Sequence, residues 1–241
     1  MATAIYGFVQ FSDGTFASLA NANVTAEQAT DIQTGGTGLN QVSGVSIGQA
    51  YEGKVAIAAS ALVQTDDATT GQWCNSYFLG PDGKIICLVQ GNGGSFGCGL
   101  YKLSKPVRMQ TGVKFMGTWD AGADAVALAS AGVYCSDGTA DVFSVKAVDA
   151  TKTAMVNKDG ATIGQALAGK TIVNAYATYS ADKGLNDNQA GVSAFYVESA
   201  DGQLKLMLPP QRGSERNFWL MNGARPVKID QNDTLSVMAG L

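Results

Sequence analysis

Residues 47–54 read IGQAYEGK and residues 163–170 read IGQALAGK, six identities in eight at an offset of 116. A chain rich in small residues matches itself by chance, so a true repeat must bring further matches in the same order. It does. SDGT at 12–15 returns at 136–139, an offset of 124. GPDGKIICL from Gly80 answers SADGQLKLM from Ser199, with the Asp-Gly pair offset by 119. KPVRM at 105–109 answers RPVKI at 225–229, offset by 120. Four collinear anchors with drifting offsets describe one module written twice, with insertions confined to loops. The copies are expected to run over 1–124 and 125–241.

The periodicity inside each copy is that of strands. VAIAASALV (55–63) and TIVNAYATY (171–179) are β-branched and small-apolar runs entered through Gly-Lys. SYFLGPDGKIICLV and AFYVESADGQLKLML each read as strand, Asp-Gly turn, strand. TGVKFMGTW (111–119) and DTLSVMAGL (233–241) alternate as half-buried strands do. In the second copy the runs fall at 126–135, 139–148, 154–157, 170–180, 191–198, 203–208, 217–221 with 225–230, and 234–239, about eight strands. The helical candidate is VTAEQATDIQT (24–34), where Thr25 can cap. The expected fold class is all-β: two tandem, internally duplicated eight-stranded jelly-roll-like β-sandwiches.

What is missing narrows function. The 241 residues include no histidine, which removes the commonest general base, metal ligand and pH switch. Cys74, Cys87, Cys98 and Cys135 show no CxxC spacing, so no zinc site is expected. Cys87 and Cys98 would approach one another if 84–103 formed a hairpin; the alternative is a set of buried thiols. SDGT resembles an aspartic-protease signature only loosely, because Gly and not a hydroxyl residue follows Asp13 and Asp137, and Asp-Gly is a common turn dipeptide. GNGGSFGCG (91–99) lacks the GK[ST] of a phosphate loop. No catalytic, cofactor-binding or metal-binding residue is assigned, no cofactor or small-molecule substrate is expected, and the protein is read as a non-enzyme.

Charged residues make up 15% of the chain, far below the usual quarter, and net charge is −4. Such a surface is either weakly solvated or largely covered by neighbouring subunits. Basic residues concentrate at Lys102, Lys105, Arg108 and Lys114, and again at Arg212, Arg216, Arg225 and Lys228. The anchors align Lys105 with Arg225 and Arg108 with Lys228. These four are candidate contacts to an anionic surface, membrane lipid or genome, against the plainer reading of charged strand edges. The N-terminus has neither the basic residue nor the apolar run of a signal peptide, and no segment approaches a membrane span, so a cytosolic translation product is expected.

A short chain of two tandem eight-stranded sandwiches, with duplicated anchors and a closing stretch such as RPVKIDQNDTLSVMAG, resembles the double jelly-roll major capsid proteins of tailless icosahedral viruses. The resemblance implies two jelly rolls side by side and a homotrimer forming a pseudo-hexagonal capsomer. It further implies localisation to the virion, with the chain itself and other virion proteins as partners. The alternative is a tandem β-sandwich binding module, lectin or adhesin-like, with Trp73, Trp119 and Trp219 as candidate contact residues.

Overall fold

The computed structural model describes residues 3–21, 37–65, 73–89, 91–92, 100–120, 128–146, 152–180, 192–212, 217–220 and 225–240. The helical candidate at 24–34 and most of the glycine-rich 91–99 stretch lie outside them. The chain divides into compact units Met1–Gly122 and Ala123–Leu241.

In the first unit β1 (Thr3–Phe11) and β2 (Phe16–Asn21) form a hairpin, followed by β3 (Thr37–Leu39) and the single helical turn α1 (Ile47–Ala50). Then come β4 (Val55–Thr65), the hairpin of β5 (Trp73–Leu79) and β6 (Ile85–Val89), the two-residue β7 (Gly91–Asn92), β8 (Tyr101–Arg108) and β9 (Lys114–Asp120). The second unit opens with β10 (Leu128–Cys135), β11 (Ala140–Lys146), β12 (Thr153–Ala154), β13 (Val156–Asn157) and α2 (Ile163–Leu167). It continues with β14 (Thr171–Ser180), β15 (Val192–Glu198), β16 (Leu204–Arg212), β17 (Asn217–Leu220), β18 (Val227–Lys228) and β19 (Thr234–Gly240).

Each unit has two sheets, and the pairing order is the same in both. In the first, β2-β1-β4 is extended by β7 and β8, both bonded to β4, and the second sheet runs β3-β9-β5-β6. In the second unit β11-β10-β14 is extended by β17 and β18 and carries β13 on its outer edge, while the other sheet runs β12-β19-β15-β16. Described pairings are antiparallel except the short β4–β7 contact. Two irregularities correspond, while a further shift between Ser193 and Phe195 in the β15–β16 ladder has no counterpart among the described β5–β6 pairs. The β1–β4 ladder skips Ile57 and the β10–β14 ladder skips Val173; the β5–β6 ladder skips Ile86 and the β15–β16 ladder skips Lys205. A bulge re-aims the side chain it leaves unpaired.

Alternation along the strands turns one set of side chains inward. In the second unit Phe143, Ile172, Phe195, Val197, Leu235 and Val237, drawn from both sheets, join Met155, Ile163 and Leu167 in one buried cluster. In the first, Phe11, Leu19, Leu39, Ile47, Phe78 and Phe115 are fully buried, and the rings of Phe78 and Phe115 lie 4.8 Å apart. Each unit is thus a sandwich with its own core.

The repeated IGQ phrase is a helical turn that leads into the long strand of each unit. Thr162 and Gln165 explain why: the Gln165 N–H donates to Thr162 Oγ1 at 3.3 Å and the Thr162 N–H to Gln165 Oε1 at 2.9 Å, a reciprocal capping box. Ser46 takes the same N-cap position on α1 without the side-chain bond. Ile47 and Ile163 fill the core while the glycine after each lies flat against backbone. The Gly48 N–H donates to the Val113 carbonyl and the Gly164 N–H to the Asp233 carbonyl, each at 3.1 Å. A Cβ on Gly48 would stand 2.3 Å from the Gln110 oxygen and 2.5 Å from the Val113 oxygen. On Gly164 it would stand 2.5 Å from the Gln231 oxygen.

Gly48→Ala and Gly164→Ala are each expected to cost about 3 kcal/mol, the upper end for overpacking, because the atoms in the way are backbone. Gly44→Ala meets nothing within 4 Å and carries only its positive φ of 80°, a cost of about 1 kcal/mol. Urea denaturation of the three variants measures the order, and equal losses would contradict the packing argument.

Candidate functional site

The four sequence anchors converge at one end of each unit. In the first SDGT turn the Asp13 carboxylate accepts from the Thr15 N–H at 3.0 Å and from Thr15 Oγ1 at 2.6 Å. Lys54, which closes the IGQ phrase, reaches across to Asp13 at 2.8 Å and to Thr15 Oγ1 at 2.7 Å. In the second copy Thr139 N–H bonds Asp137 at 2.9 Å, and Lys170 meets Asp137 at 2.6 Å and Thr139 Oγ1 at 2.9 Å. The third anchor joins through backbone. Met109 donates to the Lys54 carbonyl at 2.8 Å and Ile229 to the Lys170 carbonyl at 2.9 Å, while Gly53 and Gly169 donate back to Met109 and Ile229. The fourth, the Asp-Gly hairpin, approaches the same corner: a Cβ on Gly112 would stand 2.8 Å from the Pro81 ring.

Hydrogen bonds from Lys54 and Thr15 hold the Asp13 carboxyl far below the usual carboxylate range, and Lys170 with Thr139 does the same for Asp137. Each aspartate serves its own unit as a fixed anion that ties a hairpin tip to the root of a long strand. A carboxylate held so low is a poor proton acceptor, which separates these two residues from a catalytic dyad sharing a proton.

The sequence-derived basic residues fall as follows. Arg108 ends β8 opposite Val55, and Lys228 ends β18 opposite Thr171, so the aligned pair shares one register. Lys105 is half-buried within β8, and Arg225, exposed, precedes β18. Lys102 pairs with Ala58, Lys114 opens β9, Arg212 ends β16, and Arg216 lies outside the described residues. In the second unit a cavity gathers two of these residues. Arg225, Pro226, Val227 and Lys228 form one side of an open groove of about 520 Å³, and Lys205, Leu206 and Met207 of β16 form the other, with Asp230 at its end.

Lys205 escaped the sequence reading. The bulge at its position turns it onto two carboxylates, Asp230 at 2.8 Å and Asp233 at 2.6 Å. Asp233 is 1% exposed and also accepts the Asp230 N–H at 2.8 Å. Burial disfavours the Lys205 ammonium, but its hydrogen bonds to Asp230 and Asp233 outweigh that and raise its pKa; the same contact lowers Asp230. The matching bulge in the first unit holds Ile86, and Gln110 and Val113 occupy the places of Asp230 and Asp233. The signal was a lone lysine in the apolar run LKLML beside a DxxD turn. Cys87 is buried with its Sγ 3.5 Å from Ser104 Oγ, and Cys98 lies outside the described residues. Among the described residues no helix is long and apolar enough to cross a membrane.

Two outcomes follow. Asp233→Ala removes the buried carboxylate, leaves Lys205 only the exposed Asp230 and is expected to cost about 2 kcal/mol, whereas Lys205→Ile with Asp230→Gln and Asp233→Val restores the first unit's residues at this corner and should come within about 1 kcal/mol of wild type or exceed it. Thermal and urea melts compare them. For acid, the folded-state pKa of Asp13 and of Asp137 lies below the unfolded value. Their contribution is therefore full above about pH 4 and is lost as pH falls below it. Asp13→Asn with Asp137→Asn should flatten the acid limb of a stability-versus-pH curve and lower the neutral plateau by the same small amount, small because both clasps are exposed. Set against protein-family models, curated proteins and solved structures, the chain finds no match.

Proposed function

We propose that the protein is a structural, self-assembling subunit, a viral capsid protein whose two units are duplicated jelly rolls and whose trimers form pseudo-hexagonal capsomers. The observation that carries the reading is the shared pairing order. Taking the eight principal strands of a unit in sequence, one sheet runs second-first-fourth-seventh and the other third-eighth-fifth-sixth. This order supports the jelly-roll reading: it matches a jelly roll entered one strand early, with the first strand in the place a closing strand would hold. Shared bulges and shared Lys–Asp clasps support descent of both units from one ancestral module.

Two such modules in each of three chains give six sandwiches per trimer, the number that suits a pseudo-hexagonal outline on a hexagonal net. The sparse charge of the chain fits surfaces that are covered on assembly, since charged residues are depleted at interface cores. Subunit contact is the mechanism, and it needs no reactive side chain. Lys105 and Arg108, on the outer strand β8, remain the candidates for touching an anionic lining of the particle.

Sedimentation velocity of the purified chain, with electron microscopy of what forms, tests the proposal. Trimers and a hexagonal lattice are the expected result. A stable monomer at high protein concentration would overturn it, and saturable glycan binding by that monomer would move the protein to the lectin class.

A further inference from the structure

The groove of the second unit lies between two strand edges. Within the described residues β16 bonds only to β15 and β18 only to β14, so each presents an outer edge. Its sides carry apolar Leu206, Met207 and Val227, with Met207 45% exposed. Lys205 with Asp230 and Asp233 forms a triad of net charge −1, and Arg225 and Lys228 at the rim bring the groove to a net +1; Lys228 also feels the Asp230 carboxylate, though neither rim cation makes an ion pair among the described residues. An open strand edge, an apolar floor and two rim cations together suit an extended peptide bearing both carboxylates and aliphatic side chains. A flat phosphate or lipid surface would use neither the recess nor the floor.

The chain carries such a peptide. Residues 1–53 contain four acidic residues, Asp13, Glu27, Asp31 and Glu52, and no basic one, so the whole net charge of −4 resides there. Asp13 is held by Lys54, and Glu52 sits in the tight turn after α1. Glu27 and Asp31 remain, in the stretch 22–36 beside Val24, Ala29 and Ile32 and outside the described residues. We infer that the groove formed by β16 and β18 is an assembly socket that takes the acidic stretch 22–36 of a second copy of this chain, with Arg225 and Lys228 pairing Glu27 and Asp31. This rests on the self-assembly reading and specifies one of its contacts.

The test uses the full chain and a fluorescein-labelled peptide of residues 22–36, read by anisotropy. The expected result is saturable binding that weakens at least about tenfold in Arg225→Glu with Lys228→Glu, and again in about 0.5 M salt, because rim charges are screened. Equal binding to wild type and variant, or none, overturns the socket. In sedimentation, R225E with K228E should weaken self-association, as should E27K with D31K, and all four changes in one chain should restore it. Failure of the combined chain to recover while the single pairs stay folded by circular dichroism also overturns the socket. If the variants assemble as wild type does, assembly stands and the socket falls; if the peptide binds but wild type stays monomeric, the groove stands as a peptide site and the capsid reading falls.

Discussion

The closest approach in each unit is backbone on backbone, where a glycine of the helical turn lies against the corner before the last strand. Two crossings between the sheets meet there. The chain leaves β3 for β4 through α1, and leaves β8 for β9 through the corner at 110–113; the Gly48 N–H bonds the second crossing to the first. Any side chain at that position would push the two sheets apart at the point where both connections turn. Everything else at this end is arranged around it, with Lys54 or Lys170 gripping one hairpin tip and the Asp-Gly hairpin resting on the other side. The repeated phrase is therefore a mechanical joint, with its isoleucine anchored in the core, its glycine at the contact and its lysine as the clasp.

This joint explains which parts of the sequence repeat. Residues whose neighbours are backbone atoms, or a partner that must also be preserved, are restricted to one identity, and the glycines, Asp13, Asp137, Lys54 and Lys170 are of this kind. Core positions tolerate exchange at similar volume, so Phe11 in one unit answers Cys135 in the other, and Ala56 answers Ile172. The corner differs in chemistry between the units, with Ile86, Gln110 and Val113 in one where the other has Lys205, Asp230 and Asp233. Only Asp233 of that ion triad is buried, and the same bulge stands in the ladder beside the corner in both units.

Much of this architecture could be read from the residues. The runs 171–179, 191–198 and 234–239 became β14, β15 and β19 with boundaries shifted by a residue or two, because period-two alternation and Asp-Gly turns are local signals. The helical turns were missed since four or five residues carry too little periodicity, although Ser46-x-x-Gln49 and Thr162-x-x-Gln165 spell the capping pattern. Bulges leave no mark in a single strand, being a property of two strands in register, so Lys205 could not be placed. The basic residues were aligned correctly as Arg108 with Lys228, but their grouping into a groove depends on how β16 and β18 approach, which no spacing encodes.

The strand order has a further meaning for synthesis. The β1–β4 and β3–β9 ladders join residues separated by some fifty to eighty positions, so folding must wait for distant chain to emerge. Yet every described pairing of the first unit is complete once Asp120 has been made. The ribosome thus releases a finished sandwich while the second is still being translated, at about 5–20 residues per second. Two modules with nearly the same ladders would otherwise compete for each other's strands, and the order of emergence gives the first unit time to bury its edges before its twin appears.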